Sequence, residues 1–233
     1  MRQKLPAIII LCGGLGTRIK SVSKKLPKSM IDIHGKPFIQ YQLELLKKNN
    51  FNDIILCVAQ GASIIENFVK DGKSFGLNVK YSYDGSNLLG TGGAIKNSLH
   101  NVNEYFFVIY GDSYLDINYK EVHDYYLLNK KKSVLTVLEN KNLWDRSNII
   151  FKNNKILKYC KYSNEKEMTY IDYGLSILNK KDFIDFDRED NFDLSNLYDT
   201  LVKNEMLSGF KINERFYEVG SIKGINDFSK YME

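Results

Sequence analysis

The sequence predicts an α/β fold built on a mostly parallel sheet covered on both faces. Three observations carry this. Apolar runs of strand length recur at a steady spacing, helix-period segments separate the early runs, and a polar-turn hairpin signal appears only late in the chain. Ala7 to Leu11, Ile54 to Ala59, Val79 to Tyr83, Phe106 to Tyr110 and Val134 to Leu138 read as strands. Pro37 to Lys48 carries Phe38, Tyr41, Leu45 and Leu46 at helical spacing, Ala62 to Lys70 carries Ile64, Ile65 and Phe68, and Tyr119 to Leu128 reads as a further helix. Beyond Trp144, Asn148 to Phe151 and Ile156 to Tyr159 flank Asn153-Asn154 as a hairpin, and Tyr170 to Leu178 is another strand. Helices follow at Ser195 to Asn204 and Ile222 to Tyr231, with short strands at Gly209 to Ile212 and Phe216 to Val219. The later part therefore leans antiparallel, and the change near residue 140 marks a division of labour inside one domain spanning 1–233.

Composition narrows the class. With 233 residues, 43% hydrophobic and 26% charged, the chain fits one ordinary soluble globular unit and is long enough for a real core. No stretch approaches the roughly 20 apolar residues of a membrane span, and the apolar run after the basic N-terminus breaks at Gly13-Gly14 without a cleavage site, so a cytoplasmic location is expected. The net charge of +5 is spread over helix faces and loops, with one short run at Lys130 to Lys132. That distribution suits anionic small molecules and gives no nucleic-acid or membrane footprint. Cys12, Cys57 and Cys160 are odd in number and widely spaced, which argues against a disulfide framework and a zinc site. His34, His100 and His123 show no partner pattern, Trp144 reads as a packing residue between the two halves, and Asp116 reads as a helix cap.

The strongest chemical signal is Ile8 to Arg18, a buried strand opening into Cys12-Gly13-Gly14-Leu15-Gly16-Thr17-Arg18. Three glycines let the main chain approach a phosphate closely, with bare N–H groups as donors and Arg18 as a charged clamp. A dinucleotide fingerprint would need glycine where Ile19 stands, and a P-loop would need Gly-Lys-Ser/Thr after four spacers, which neither this loop nor Gly90 to Ser98 supplies. Val108 to Ser113 is a strand ending in Gly111-Asp112. An acid at the carboxyl end of a parallel strand sits where such sheets bind ligands, and a hard carboxylate suits Mg2+. Reading Ser113 as a hydrolase nucleophile would need a late Asp-x-x-His, which is missing.

With Leu26-Pro27-Lys28-Ser29-Met30 following the glycine loop, the sequence resembles the sugar-1-phosphate nucleotidyltransferases, whose opening signature is a hydrophobic strand, GGxGTR, a spacer and PK. Cysteine stands at position 12 where that family usually has alanine. The resemblance continues through Leu89-Gly90-Thr91-Gly92-Gly93-Ala94, which in the family lies against the base and sugar of the nucleotide, through Gly111-Asp112, and through Tyr170-Ile171-Asp172-Tyr173-Gly174, where the family commonly has asparagine at 172. Near the C-terminus, Phe216-Tyr217-Glu218-Val219-Gly220-Ser221 matches an aromatic-acid-Gly-Ser pattern with glutamate replacing aspartate.

The resemblance implies a three-layer α/β/α fold of the nucleotide-diphospho-sugar transferase (GT-A-like) type, with residues 1–140 as a nucleotide-binding half and 141–233 as a sugar-phosphate-binding half. It implies condensation of a nucleoside triphosphate with a sugar 1-phosphate to give a nucleotide-sugar and pyrophosphate. Arg18, Lys28 and Asp112 are the catalytic candidates, with Mg2+ on Asp112 and Glu218. Leu11, Cys12, Gly13, Gly14, Gly16, Thr17, Gly90, Thr91, Gly92 and Gly111 would bind nucleotide, and Asp172, Gly174 and Lys161 the sugar phosphate. Length and ending look most like the guanylyltransferases for heptose or mannose 1-phosphate. A cytidylyltransferase for another phosphorylated small molecule and a catalytically silent regulatory subunit stand as alternatives, and a homodimer is the assembly such relatives often form.

Overall fold

The structure, a computed structural model, describes residues 4–14, 26–85, 87–130, 132–162, 165–186 and 190–233. Gly16, Thr17 and Arg18 lie outside the described residues. In chain order the elements are β1 (Ile8–Leu11), β2 (Asp32–Ile33), β3 (Lys36–Pro37), α1 (Phe38–Lys48), β4 (Asp53–Val58), α2 (Ala62–Val69), β5 (Asn78–Tyr83), α3 (Gly90–Ser98), β6 (Tyr105–Tyr110), β7 (Ser113–Tyr114) and α4 (Tyr119–Leu128). These are followed by β8 (Ser133–Glu139), β9 (Ile149–Lys152), β10 (Lys155–Tyr159), β11 (Tyr170–Asn179), α5 (Lys180–Ile184), α6 (Leu194–Lys203), β12 (Leu207–Ile212), β13 (Tyr217–Glu218) and α7 (Ile222–Tyr231).

Among the described residues the main sheet has nine strands in the order β5-β4-β1-β6-β11-β8-β12-β10-β9. The first four are mutually parallel, β11 runs antiparallel between β6 and β8, and β12 returns parallel to β8. The sheet is thus mixed, as expected, and its parallel half places the carboxyl ends of β1, β4, β5 and β6 along one edge. The hairpin turn falls on Asn153 and Asn154, both with positive φ (51° and 59°). Asparagine tolerates that region, and such a turn matches the twist of the flanking strands.

Side-chain alternation sets the layers. Ile8 and Ile10 of β1 face one way with Ile54 and Leu56, into a core shared with Ile39, Leu43 and Leu46 of α1, Ile65 of α2 and Val122 of α4. Ile9, Ile55 and Val108 face the other way, against Ile95 of α3 and Leu194, Leu197 and Leu201 of α6. A slip of one residue in β1 would exchange these faces, and with isoleucine on both of them the register is set by how each layer packs and not by polar alternation. A third, smaller core joins Ile31, Phe38, Leu45 and Tyr114 to Val219 and Phe228. It packs α7 and the segment after Lys28 into one unit.

Helix starts follow side-chain chemistry: Asn118, Asp193 and Ser221 accept from the amides of Lys120, Ser195 and Gly224. Asn118 therefore caps α4, and Asp116 does not: its carboxylate takes the Tyr231 hydroxyl at 2.8 Å, tying α7 to the sheet. Trp144 packs edge-on against Phe216, with the Arg215 guanidinium over its ring. Among the described residues no helix is long and apolar enough to cross a membrane.

Candidate active site

The parallel strands end at a cleft of about 310 Å3, lined by Leu11 to Gly14 after β1, Cys57 of β4, Asp84 after β5, Gly90 and Thr91 of α3, Tyr110 to Asp112 after β6, and Lys28. Open α/β sheets bind ligands at this edge because loops diverge there. Gly111 is required by closeness: a Cβ on it would stand 2.6 Å from the Leu11 carbonyl oxygen and 3.0 Å from Cys12 Sγ. A Cβ on Gly14 would meet nothing, so its bare backbone faces open space. Burial, helped by neighbouring Cys57, pushes the Cys12 thiol up to about 12, so it remains a protonated, unreactive group on the cleft wall.

At one end of the cleft the chain brings together Lys28, Asp112 and Glu218. Pro27, with φ −54° and ψ 145°, launches the short helical turn Lys28–Met30, and Lys28 Nζ donates to Asp112 Oδ2 at 2.7 Å. Glu218 arrives through backbone pairing: β13 lies antiparallel to β7 with Glu218 opposite Ser113, and the Val219 amide donates to the Asp112 carbonyl at 2.9 Å. A Cβ placed on Gly220 would sit 2.9 Å from Glu218 Oε2, 3.0 Å from Asp112 Oδ2 and 3.0 Å from Lys28 Nζ. Two carboxylates and an ammonium thus converge on one point.

The extra methylene of Glu218 does not carry its carboxylate away from the cluster. The group folds back to accept from the Gly220 amide and the Ser221 hydroxyl, and Gly224 packs so tightly on it that any Cβ there would strike Oε1. It rests at the N-terminus of α7, where the helix dipole favours an anion. Two hard carboxylate oxygens facing one point fit a divalent cation that keeps waters and phosphate oxygens in its remaining positions. Among the described residues no third His, Cys, Asp or Glu completes a protein-only metal cage.

The second glycine turn divides its work differently from the expectation. Gly90 and Thr91 line the cleft, but Gly92 faces away from it: a Cβ there would land on the Phe192 ring, and one on Gly93 would land on the Asp190 carbonyl. The Gly92 and Gly93 amides both donate to the Phe192 carbonyl oxygen. Close packing of α3 against the segment before α6 explains glycine at 92 and 93.

Asp84 escaped the sequence reading. It lies at the carboxyl end of β5, lines the cleft, and accepts from the Leu89 amide at 3.3 Å, so it also braces the Gly90 turn. Burial raises its pKa. The strand-end rule that singled out Asp112 applies equally to Tyr83-Asp84-Gly85 and could have found it.

On the other side of the Asp112 turn, a Cβ on Gly174 of β11 would stand 3.6 Å from the Tyr110 ring and 3.7 Å from Ser113 Oγ. Asp172, two residues earlier, accepts from the Gly174 amide at 2.9 Å and from the Tyr159 hydroxyl at 3.4 Å. Lys161 is tied to Asp193 by an ion pair of 2.7 Å, and its charge also reaches Asp172. Burial pushes the Asp172 carboxyl up to about 6, against the lowering effect of the Gly174 and Tyr159 hydrogen bonds.

The folded chain therefore holds this proton over a range, from about 3.8 to about 6, in which the unfolded chain has released it. The associated stability is present below that window and lost as pH rises through it. Asp172→Asn is expected to remove a decline of order 1–3 kcal/mol between pH 4 and 7, read from chemical denaturation at both ends of the range. An equally steep slope in the variant would place the titrating group elsewhere.

A glycine-floored cleft at the carboxyl ends of parallel strands, closed by a lysine and two acids, defines a protein that handles nucleotide phosphates. Residues 7–143 match the nucleotidyl transferase family model, and the chain belongs to that family. It is 33% identical over 213 residues to the D-glycero-alpha-D-manno-heptose 1-phosphate guanylyltransferase of Campylobacter jejuni, covering 91% of this chain and 93% of that protein. A protein of the same name from Aneurinibacillus thermoaerophilus is 30% identical over 176 residues, 75% of each chain. The crystal structure of HddC from Yersinia pseudotuberculosis complexed with GMP-PN superimposes with a TM-score of 0.82 at 27% identity, covering 98% of this chain and 100% of that one. The GT-A-like nucleotidyltransferase fold and the guanylyltransferase resemblance expected from the motifs both hold, and nothing among these relatives points to a regulatory subunit.

Proposed function

We propose that this chain condenses GTP with a heptose or mannose 1-phosphate, releasing pyrophosphate and a nucleotide-sugar. The observation that carries the reading is the convergence of Lys28, Asp112 and Glu218 at the end of a cleft floored by Gly13 and Gly14. The relatives named for this reaction support the choice of substrates. So does Asp84, since a carboxylate can accept from the ring N–H and the amino group of guanine together, whereas cytosine presents only its amino group.

In this reading a sugar-phosphate oxygen attacks the α-phosphorus in line, and the bond to the pyrophosphate oxygen breaks on the opposite side. The nucleophile is already an anion at neutral pH, so the protein's task is charge cancellation in a site of lowered dielectric, with little proton transfer. Lys28 neutralises the α-phosphate, and Arg18 holds the departing pyrophosphate. Asp112 and Glu218 would hold Mg2+, which supplies positive charge to both reacting phosphates when bound. The Gly13 and Gly14 backbone lies against the nucleotide. Asp172, ionised at neutral pH, accepts from sugar hydroxyls, and Gly174 keeps that strand close to the Asp112 turn. Lys161 lies beside Asp172 and meets the sugar phosphate.

Pyrophosphate release assayed with each of four triphosphates against a panel of sugar 1-phosphates tests the reading. Turnover is expected with GTP and a heptose or mannose 1-phosphate. Turnover restricted to CTP would move the chain to the cytidylyltransferases, and silence across the panel would overturn the proposal.

A further inference from the structure

Asp112 sits in a two-residue connection between β6 and β7, and the backbone flanking that connection is gripped from a helix about 70 residues earlier in the chain. Gln42, in the middle of α1, is 1% exposed. Its Nε2 donates to the Tyr110 carbonyl at 3.0 Å and to the Ser113 carbonyl at 2.6 Å, spanning the turn that carries Gly111 and Asp112. Two carbonyl acceptors fix the amide orientation, because the oxygen end could satisfy neither. The Gln42 Oε1 atom is left buried without a hydrogen-bond partner. Leucine or methionine here would remove that orphaned acceptor but take the donor away from two main-chain carbonyls.

The chemistry required here is narrow. Bridging two carbonyls takes a group with two hydrogens on one nitrogen, long enough to reach from a helix, and uncharged. Lysine or arginine would supply the hydrogens but bury a second positive charge in a place where Asp112 is already paired with Lys28. The remaining bonds of the turn run to other elements: Gly111 N–H to the Leu11 carbonyl, and the Asp112 carbonyl to Val219 N–H. Gln42 alone, among the described residues, ties the turn to α1, whose neighbours Phe38, Tyr41 and Leu45 pack with Val219 and Phe228 in the third core.

We infer that Gln42 is a positioning residue that sets Asp112 for divalent-cation binding by bridging the Tyr110 and Ser113 carbonyls. The inference rests on the metal reading of Asp112 given above. Its test is Gln42→Leu, backed by the linear Gln42→Met in case the branched side chain does not fit. Mn2+ binding is followed by electron paramagnetic resonance with a non-hydrolysable GTP analogue present, beside thermal unfolding and steady-state kinetics. Partners that orient a metal ligand are worth about ten- to a hundredfold in metal affinity. The expected result is a loss of Mn2+ affinity of that size, an equal rise in the Mg2+ concentration giving half-maximal rate, and kcat recovering at high Mg2+. The nucleotide affinity measured in EDTA should stay near that of the parent, while the melting temperature falls by a few degrees because two carbonyls lose their donor.

Unchanged Mn2+ affinity in both folded variants would overturn the inference and leave Gln42 a packing residue. A parallel titration of Asp112→Asn separates the two levels. If that variant binds Mn2+ as the parent does, the metal reading itself fails. If it loses Mn2+ while the Gln42 variants keep it, only the role of Gln42 fails.

Discussion

Asp112→Asn is expected to lower kcat by about a hundredfold, some 3 kcal/mol of barrier, while the melting temperature stays within a few degrees of the parent's. The substitution is nearly isosteric. The amide oxygen can still accept from Lys28 Nζ, now 2.7 Å from Oδ2, and the backbone bonds from Val219 and Gln42 do not involve the changed atoms. What disappears is one negative charge facing the point where Lys28 and Glu218 also meet. A structural carboxylate would show the opposite pattern, with stability lost and turnover per folded molecule retained. Pyrophosphate release and thermal unfolding in one buffer distinguish the two, and unchanged turnover would refute the assignment of Asp112.

The architecture was legible because it rests on long periodic segments. Ile8, Ile9 and Ile10 sit in an apolar run that a buried parallel strand explains, and Asn153-Asn154 carries its turn chemistry in two letters. The parts left unread depend on partners distant in sequence. β13 is read as a short strand at Phe216 to Val219, but β7 is two residues long with no period to detect, and it is their pairing that brings Glu218 beside Asp112. Gly92 looked like a nucleotide-facing glycine because the reason for it, the Phe192 ring, is a hundred residues away. Gln42, between Tyr41 and Leu43, has the letter of a surface residue, and only the tertiary fold shows it buried against two carbonyls. Asp116 reads as a cap from its neighbours in sequence, whereas its partner is Tyr231 in the last helix. Charged and polar roles thus escape the sequence wherever the partner is set by topology.

Gly220→Ala is expected to abolish most turnover, again by about a hundredfold or more, although by ordinary backbone rules it should be harmless. Gly220 does not occupy the left-handed region, so alanine is compatible with its backbone. Restricting the unfolded chain in this way usually adds about 0.4–1 kcal/mol of stability. The new methyl would stand 2.9 Å from Glu218 Oε2 and 3.0 Å from both Asp112 Oδ2 and Lys28 Nζ. The Lys28 and Asp112 ends can swing aside while Glu218 is held by Gly220, Ser221 and Gly224, so the fold tolerates the intrusion, but the three groups no longer face one common point. The methyl also excludes the water that a divalent cation would keep in its coordination shell. Stability and activity should therefore move apart, with the melting temperature level or higher and the Mg2+ requirement raised. Full activity in Gly220→Ala would mean that the space above this glycine is not where the charges act on the substrate, and that Glu218 serves only to anchor α7.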